Sequence, residues 1–423
     1  MPTIDFIQNT HTSVYWQKKN SWLMAAPFFL LYLAVSIFPG KPVVHAYGGT
    51  LFDGDAYRQF VLGGIYLLAL ILVIPKLRQS VAVIRGHWGY MFLLGYILSS
   101  AIWSSFPQKV IIGWTHFVGI FLVSLCAAMA FRQREAFMMK TLLICTSIAV
   151  ASSCVAALFF PARGIAEGGR WVGLTLHPNY LGIISLIAVW TSIATLHLLK
   201  GVMVKLWALL LLLLAAMCLY GSNSMTSTAL SVVLIVFVPI LIQLIRPNLN
   251  QTIFRISLAF MALAVFGFLA YILLPMVFSS DTYLMLMGRK SDLTGRSELW
   301  EMAKVAIDKK PIFGWSFDDL LSLFSLFHLQ YGQFHNGYLD LLVRGGVVAL
   351  LLFGFVTLGV IKYLFNMLRT NPRFAIIMGS FFMAFFVHNY TEATLVRAPT
   401  PLWVMFSLLY FHLGVPEKIV NEK

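Results

Sequence analysis

The chain has 423 residues, of which 60% are hydrophobic and only 11% charged, with a net charge of +14. Soluble domains carry roughly twice that charged fraction, so a soluble enzyme with an ordinary polar shell is excluded. A positive excess of this size suits nucleic acid, but its placement along the chain assigns it to membrane topology instead.

A membrane-crossing helix needs about 20 mostly apolar residues. Twelve segments approach that length: residues 22–39, 60–75, 88–105, 110–131, 141–160, 180–199, 206–221, 226–245, 256–278, 345–367, 374–390 and 400–415. Lipid offers backbone amides no partners, and no period-two alternation of the barrel kind is present, so all spans are expected to be helical. The sequence predicts an all-α polytopic membrane protein of about 12 transmembrane helices. It is organised as a single membrane domain over residues 1–423, with one large polar loop, 279–336, inserted between late helices.

Lys18, Lys19, Lys76, Arg78, Arg85, Arg132, Arg134, Lys140, Lys200, Lys205, Arg246, Arg255, Lys362, Arg369, Arg373, Lys418 and Lys423 fall in one alternating set of loops and the termini. That set holds nearly all of the positive excess, which places both termini in the cytoplasm by the positive-inside rule. The outward loops are then 40–59, 106–109, 161–179, 222–225, 279–336 and 391–399. No cleavable signal peptide is expected ahead of the first span, because its flank is polar and no small-residue cleavage site follows. Cys126, Cys145, Cys154 and Cys218 all lie inside spans, without disulfide or metal-ligand spacing, and read as small apolar residues.

Polar chemistry is therefore concentrated outside. Within 279–336, Leu299, Trp300, Ala303, Ala306 and Ile307 repeat at helical spacing and predict a helix over 297–308, stopped by Pro311 and Gly314. Ser316 with Asp319 reads as a capping box opening a second helix from Phe317 to about Gln330. That helix is apolar enough to lie on the membrane surface or pack on the bundle.

Five groups of residues could carry chemistry. His335 and Asn336 stand at the start of a late span, where free amides and the helix dipole favour an anion. The imidazole could act as general base or anion ligand. Asn336, Asp340 and Arg344 share one helix face, and the plainer reading is a cap followed by an anchoring Asp–Arg pair. Arg170, Arg289, Arg296 and Arg397 lie in three outward loops; arginine suits a diphosphate because its planar fork binds two oxygens and stays charged. A third group runs from Gly168 through Trp171 to His177-Pro178-Asn179. Pro178 suits a helix start and Asn179 a cap, His177 a phosphate or sugar hydroxyl, and Trp171 a sugar face. Asp53 and Asp55 form an isolated D-x-D, too common a pattern to assign a metal. The polar patch Ser222-Asn223-Ser224 with Thr226, Ser227 and Thr228 suits contact with a lipid-linked glycan or, more simply, helix–helix hydrogen bonding.

The motifs Thr294-Gly295-Arg296-Ser297-Glu298-Leu299-Trp300, Pro311-Ile312-Phe313-Gly314-Trp315 and His335-Asn336-Gly337-Tyr338-Leu339 resemble the O-antigen ligase/polymerase superfamily. The segment from Arg170 to Asn179, the Ser222–Ser227 patch and His388-Asn389-Tyr390-Thr391-Glu392 are similar to its exopolysaccharide-polymerase-like branch. The resemblance implies a GT-C-like, multi-pass glycosyltransferase of the bacterial inner membrane. It would work on the periplasmic face with glycans carried on undecaprenyl diphosphate, and its key residues would be Arg170, Arg296 and His335. Chain-length regulators are candidate partners of such enzymes.

The chemistry agrees with that implication. A lipid diphosphate is already a stable anion, so its departure needs cations rather than a strong acid, and Arg296 and Arg170 supply them without a metal or other cofactor. The acceptor saccharide must lose a proton, to His335 or next to Glu298. His177, Asn179, Arg289, Asn336 and Arg397 complete the expected substrate-binding set. Polymerisation of repeat units is favoured over ligation of glycan to lipid A-core. A transporter or flippase is the alternative of another class, but mid-span charges are sparse and no inverted repeat is visible. A non-catalytic scaffold of an export complex is the third alternative. Nucleic acid is not an expected partner; membrane lipids are.

Overall fold

The computed structural model describes residues 4–37, 56–175, 177–245, 296–327 and 332–415. The predicted span 256–278, Arg289, Asp53 and Asp55 lie outside them. Regular structure among the described residues is helical, apart from one isolated bridge between Ile165 and Trp171. The helices are α1 (Ile4–Ile37), α2 (Ala56–Val73), α3 (Leu77–Ile84), α4 (Trp88–Ser99), α5 (Pro107–Phe131), α6 (Glu135–Phe159) and α7 (Pro161–Gly164). They continue with α8 (Pro178–Leu198), α9 (Val202–Ser222), α10 (Met225–Leu244), α11 (Arg296–Lys309), α12 (Phe324–Phe327), α13 (Gly337–Thr370), α14 (Pro372–His388) and α15 (Pro401–Leu413).

Eleven of the twelve predicted spans coincide with apolar helices. Among the described residues, seven are long and apolar enough to cross a membrane unaided, and α4, α14, α15 and the apolar end of α1, Ser21–Ile37, are shorter. The protein is thus a polytopic helical membrane protein.

Apolar content on all sides of a helix calls for burial on all sides. α8 meets that demand by packing on α6, α9, α10, α14 and α15. α15 is buried along almost its whole length. Trp403 and Phe406 stack there at 5.0 Å, and Phe385 of α14 lies 4.5 Å from Phe406.

α15 is too short to span alone, and the chain ahead of it does not run over the surface as a loop usually does. Glu392 through Val396 are buried, as is Thr400. Non-helical backbone in such a place must find its partners in the protein. Asn389 Oδ1 accepts from the Thr394 amide at 2.8 Å, and Arg344 donates to the carbonyls of Val396 and Leu395 at 3.0 and 3.2 Å.

α13 is two helices joined at Gly346, whose φ of 60° and ψ of −165° interrupt the helix. The segment 311–316 fills the break. Val347 and Val348 donate to the carbonyls of Pro311 and Ile312, while Trp315 and Ser316 donate to those of Val343 and Arg344. A Cβ on Gly346 would lie 2.2 Å from the Ile312 carbonyl oxygen, so the close approach requires glycine.

The first predicted helix of the 279–336 segment is found as α11. The second is not. Ser316, Asp319 and Leu320 all have positive φ, which ends helical geometry where the capping box would begin it. The chain makes a 3-10 turn over Leu321–Leu323 and then the short α12. Asp318, rather than Asp319, is the local acceptor, bonded to Ser104 at 2.7 Å and to the Ser322 hydroxyl.

Candidate active site

Three of the loops assigned to the outer side, 161–179, 279–336 and 391–399, are joined through Glu392, just after α14.

Arg170 lies in the loop between α7 and α8. Its Nε donates to the Ser222 carbonyl at 2.8 Å, at the end of α9, and its Nη2 to Asn179 Oδ1 at 2.9 Å. Neighbouring Trp171 is packed against Gly221, where a Cβ would come within 2.2 Å of the indole, and its amide donates to the Gly221 carbonyl. Trp171 therefore serves to hold the Arg170 loop on α9. Asn179 was expected to cap α8, but the cap is His177, whose Nδ1 accepts from the Asn179 amide at 3.1 Å. With Pro178 at the first helical position, the residue ahead of it is the one placed to cap. The Asn179 side chain is thereby released, and its Nδ2 donates to Glu392 Oε1 at 2.7 Å. Burial, reinforced by the charge of Arg170, holds the His177 imidazole below its ordinary value, in keeping with a neutral ring whose Nδ1 accepts.

Arg296 begins α11. Nη2 pairs with Glu392 Oε1 at 3.0 Å and Nη1 donates to the Thr391 carbonyl at 2.8 Å, so the guanidinium fork grips the start of the buried loop. His335 Nδ1 lies 3.4 Å from Glu392 Oε2. His335 itself has φ of 50°, and Asn336 after it caps α13 by accepting from the Tyr338 and Leu339 amides. Exposure is graded: the Glu392 side chain is 7% exposed, against 21% for Arg296 and 26% for His335. The carboxylate is the floor, and the guanidinium and the imidazole form the rim. Burial works to raise the Glu392 carboxyl, but the His335 hydrogen bond and the Arg296 charge outweigh it and hold the group below the usual carboxylate range.

Arg170, Asn179, Arg296 and His335 are thus linked through one carboxylate. Glu298 is exposed on the first turn of α11, and the acid in contact with Arg296 and His335 is Glu392 instead. Arg397 is engaged elsewhere, at 3.4 Å from Asp340 Oδ2 and on the Gly332 carbonyl. Asp340 also pairs with Arg344 at 3.0 Å and accepts from the Phe334 amide at 3.1 Å. This second cluster braces the first from behind: it fixes the residue before His335 and, through Arg344, the buried loop that carries Glu392. The Ser222–Thr228 patch joins α10 to the same place, with Thr226 Oγ1 2.6 Å from Thr391 Oγ1 and Ser227 Oγ 3.4 Å from His388 Nε2.

Glu392 was not among the sequence-predicted site residues. The sequence did carry a signal, since Glu392 closes the His388-Asn389-Tyr390-Thr391-Glu392 motif of the family resemblance, but no role was assigned to it.

The sequence model of the family described as O-antigen ligase matches residues 208–354, a stretch that contains Arg296 and His335. The chain is also 27% identical over 415 residues to the exopolysaccharide production protein ExoQ of Rhizobium meliloti (strain 1021), an alignment covering 90% of this chain and 86% of that protein. Together the two matches support the O-antigen ligase/polymerase-like family to which the motifs pointed.

Proposed function

We propose that the protein is an integral-membrane glycosyltransferase that transfers a glycan from undecaprenyl diphosphate to an acceptor saccharide on the periplasmic face of the bacterial inner membrane. The observation that carries this reading is the gathering of Arg170, Arg296 and His335 from three separate segments around one buried carboxylate. Arg296 and Arg170 neutralise the departing diphosphate, and His335 takes the proton of the acceptor hydroxyl. The acceptor oxygen forms its bond to the anomeric carbon as the carbon–oxygen bond to the diphosphate breaks, the electron pair leaving with the diphosphate. Direct displacement inverts the anomeric centre and requires no metal.

Polymerisation of exopolysaccharide repeat units is the preferred reaction, supported by the relative named for exopolysaccharide production. The ligase reading is supported by the family description over residues 208–354. Purified protein given lipid-linked repeat units in excess EDTA is expected to form longer glycans on the lipid carrier. Transfer to lipid A-core with no chain growth would favour the ligase, and loss of all transfer in EDTA with recovery on adding Mg²⁺ or Mn²⁺ would refute the metal-free mechanism.

A further inference from the structure

Glu392 is an unexpected neighbour for groups that bind a diphosphate. It occupies Arg296 and His335, and through Asn179 it is linked to Arg170. An ionised carboxylate beneath an anion site repels the incoming anion, and it must share or yield the arginine contacts that the anion takes. Every one of those contacts is also a positional constraint. His335 Nδ1 lies 3.4 Å from Glu392 Oε2 and 3.3 Å from the Gln333 side-chain amide. An ionised carboxylate can only accept hydrogen bonds, so a neutral imidazole bonded to it carries its proton on Nδ1 and leaves Nε2 as the basic atom, with the Gln333 amide turned to present its oxygen. The same carboxylate sets the distance between Arg296 at the start of α11 and Asn179 at the start of α8.

Resting on the reading that a lipid diphosphate binds at Arg296 and Arg170, we infer that Glu392 is a positioning residue that weakens donor binding while making turnover possible. It holds His335 in the tautomer with a free Nε2 and keeps the arginines in register, and its charge opposes the diphosphate. A side chain present only for structure would affect both quantities in the same direction; this one separates them.

The test measures the two quantities apart on full-length protein. Binding is read with undecaprenyl diphosphate in nanodiscs, and turnover as polysaccharide output at matched protein level in a strain lacking its own copy. Glu392→Gln keeps the shape and removes the charge. It is expected to bind undecaprenyl diphosphate about tenfold tighter, the effect of one unit charge removed at several ångströms in a partly wet site. It is also expected to lose at least about tenfold in output, because its one amide oxygen stays with Arg296 and Asn179 and the NH2 group, a donor, is turned toward His335 Nδ1. Glu392→Asp keeps the charge but shortens the reach, and is expected to lose output without tighter binding. Should the glutamine variant fail to insert, Glu392→Ala carries the same charge test. Unchanged or weaker binding in the uncharged variant would overturn the inference, as would tighter binding with full output. Arg296→Gln separates the two levels: if it leaves undecaprenyl diphosphate binding intact, the donor-site reading itself fails, whereas lost binding there with no tightening in Glu392→Gln removes only the role given to Glu392.

Discussion

Asp340 and Arg344, one helical turn apart on α13, meet at 3.0 Å where their side chains are 0% and 7% exposed. The sequence offered this pair as an interface anchor, and the structure gives it a larger task. Asp340 also takes the Phe334 amide and faces Arg397, while Arg344 holds the Leu395 and Val396 carbonyls. Asp340→Asn leaves two arginines without their carboxylate in a buried place. Breaking one partner of a buried pair costs about 3–5 kcal/mol, so the detergent-solubilised variant is expected to unfold at a clearly lower temperature than wild type, with transfer activity lost in parallel.

Arg296→Lys keeps the charge and is expected to lose most activity. The guanidinium spans Glu392 and the Thr391 carbonyl with two nitrogens, and an ammonium cannot reproduce that fork. His335→Ala is expected to lower turnover by about 10²–10⁴-fold, the range for a general base, with little change in donor binding. Turnover and donor affinity measured separately on purified protein check both. Near-normal turnover in the two variants would remove the site assignment. Lost donor binding in His335→Ala, with turnover of bound donor intact, would make His335 a phosphate ligand.

Gly346→Ala addresses the break in α13. Its positive φ alone costs a residue with a Cβ about 1–3 kcal/mol, and the Ile312 carbonyl leaves no room for the added carbon. The expected outcome is a lowered unfolding temperature and faster proteolysis between α11 and α13. A variant as stable and as resistant as wild type would show that the 311–316 segment is not held by this break.

Topology is open to direct measurement. Alkaline phosphatase fused at Leu320 is expected to be active, and fused at Lys200 inactive, from the charge asymmetry of the loops. The reverse pattern would place the Glu392 cluster in the cytoplasm and end the periplasmic mechanism.

Helices were legible because apolar length and breaker residues are local signals. α11 begins and ends within a residue or so of its expected bounds for that reason. The failed helix over 317–330 shows the limit: its apolar side chains fit a helix, but burial of Phe317, Leu320 and Leu323 against other elements, with backbone turns at Asp319 and Leu320, satisfied them otherwise. Arg170, Arg296 and His335 were recognisable as residue types suited to a diphosphate and a base. Glu392 was not, because its role depends on which loop ends meet in space, and nothing in a short buried loop announces its neighbours. For Asn179 the sequence pointed to the right residue and the wrong task, since the cap fell to His177.

Chain order gives the site a direction of assembly. Arg170, Asn179, Arg296 and His335 all precede Glu392, and the loop that carries it is held in turn by Arg344 and followed by α15, the most enclosed helix of the bundle. During synthesis from the N-terminus the Arg170–Asn179 pair can form early, but its link through Glu392 to Arg296 and His335 is still missing. The carboxylate that joins them arrives with the last helices, so a chain interrupted before α14 and α15 holds these side chains without the group that links them.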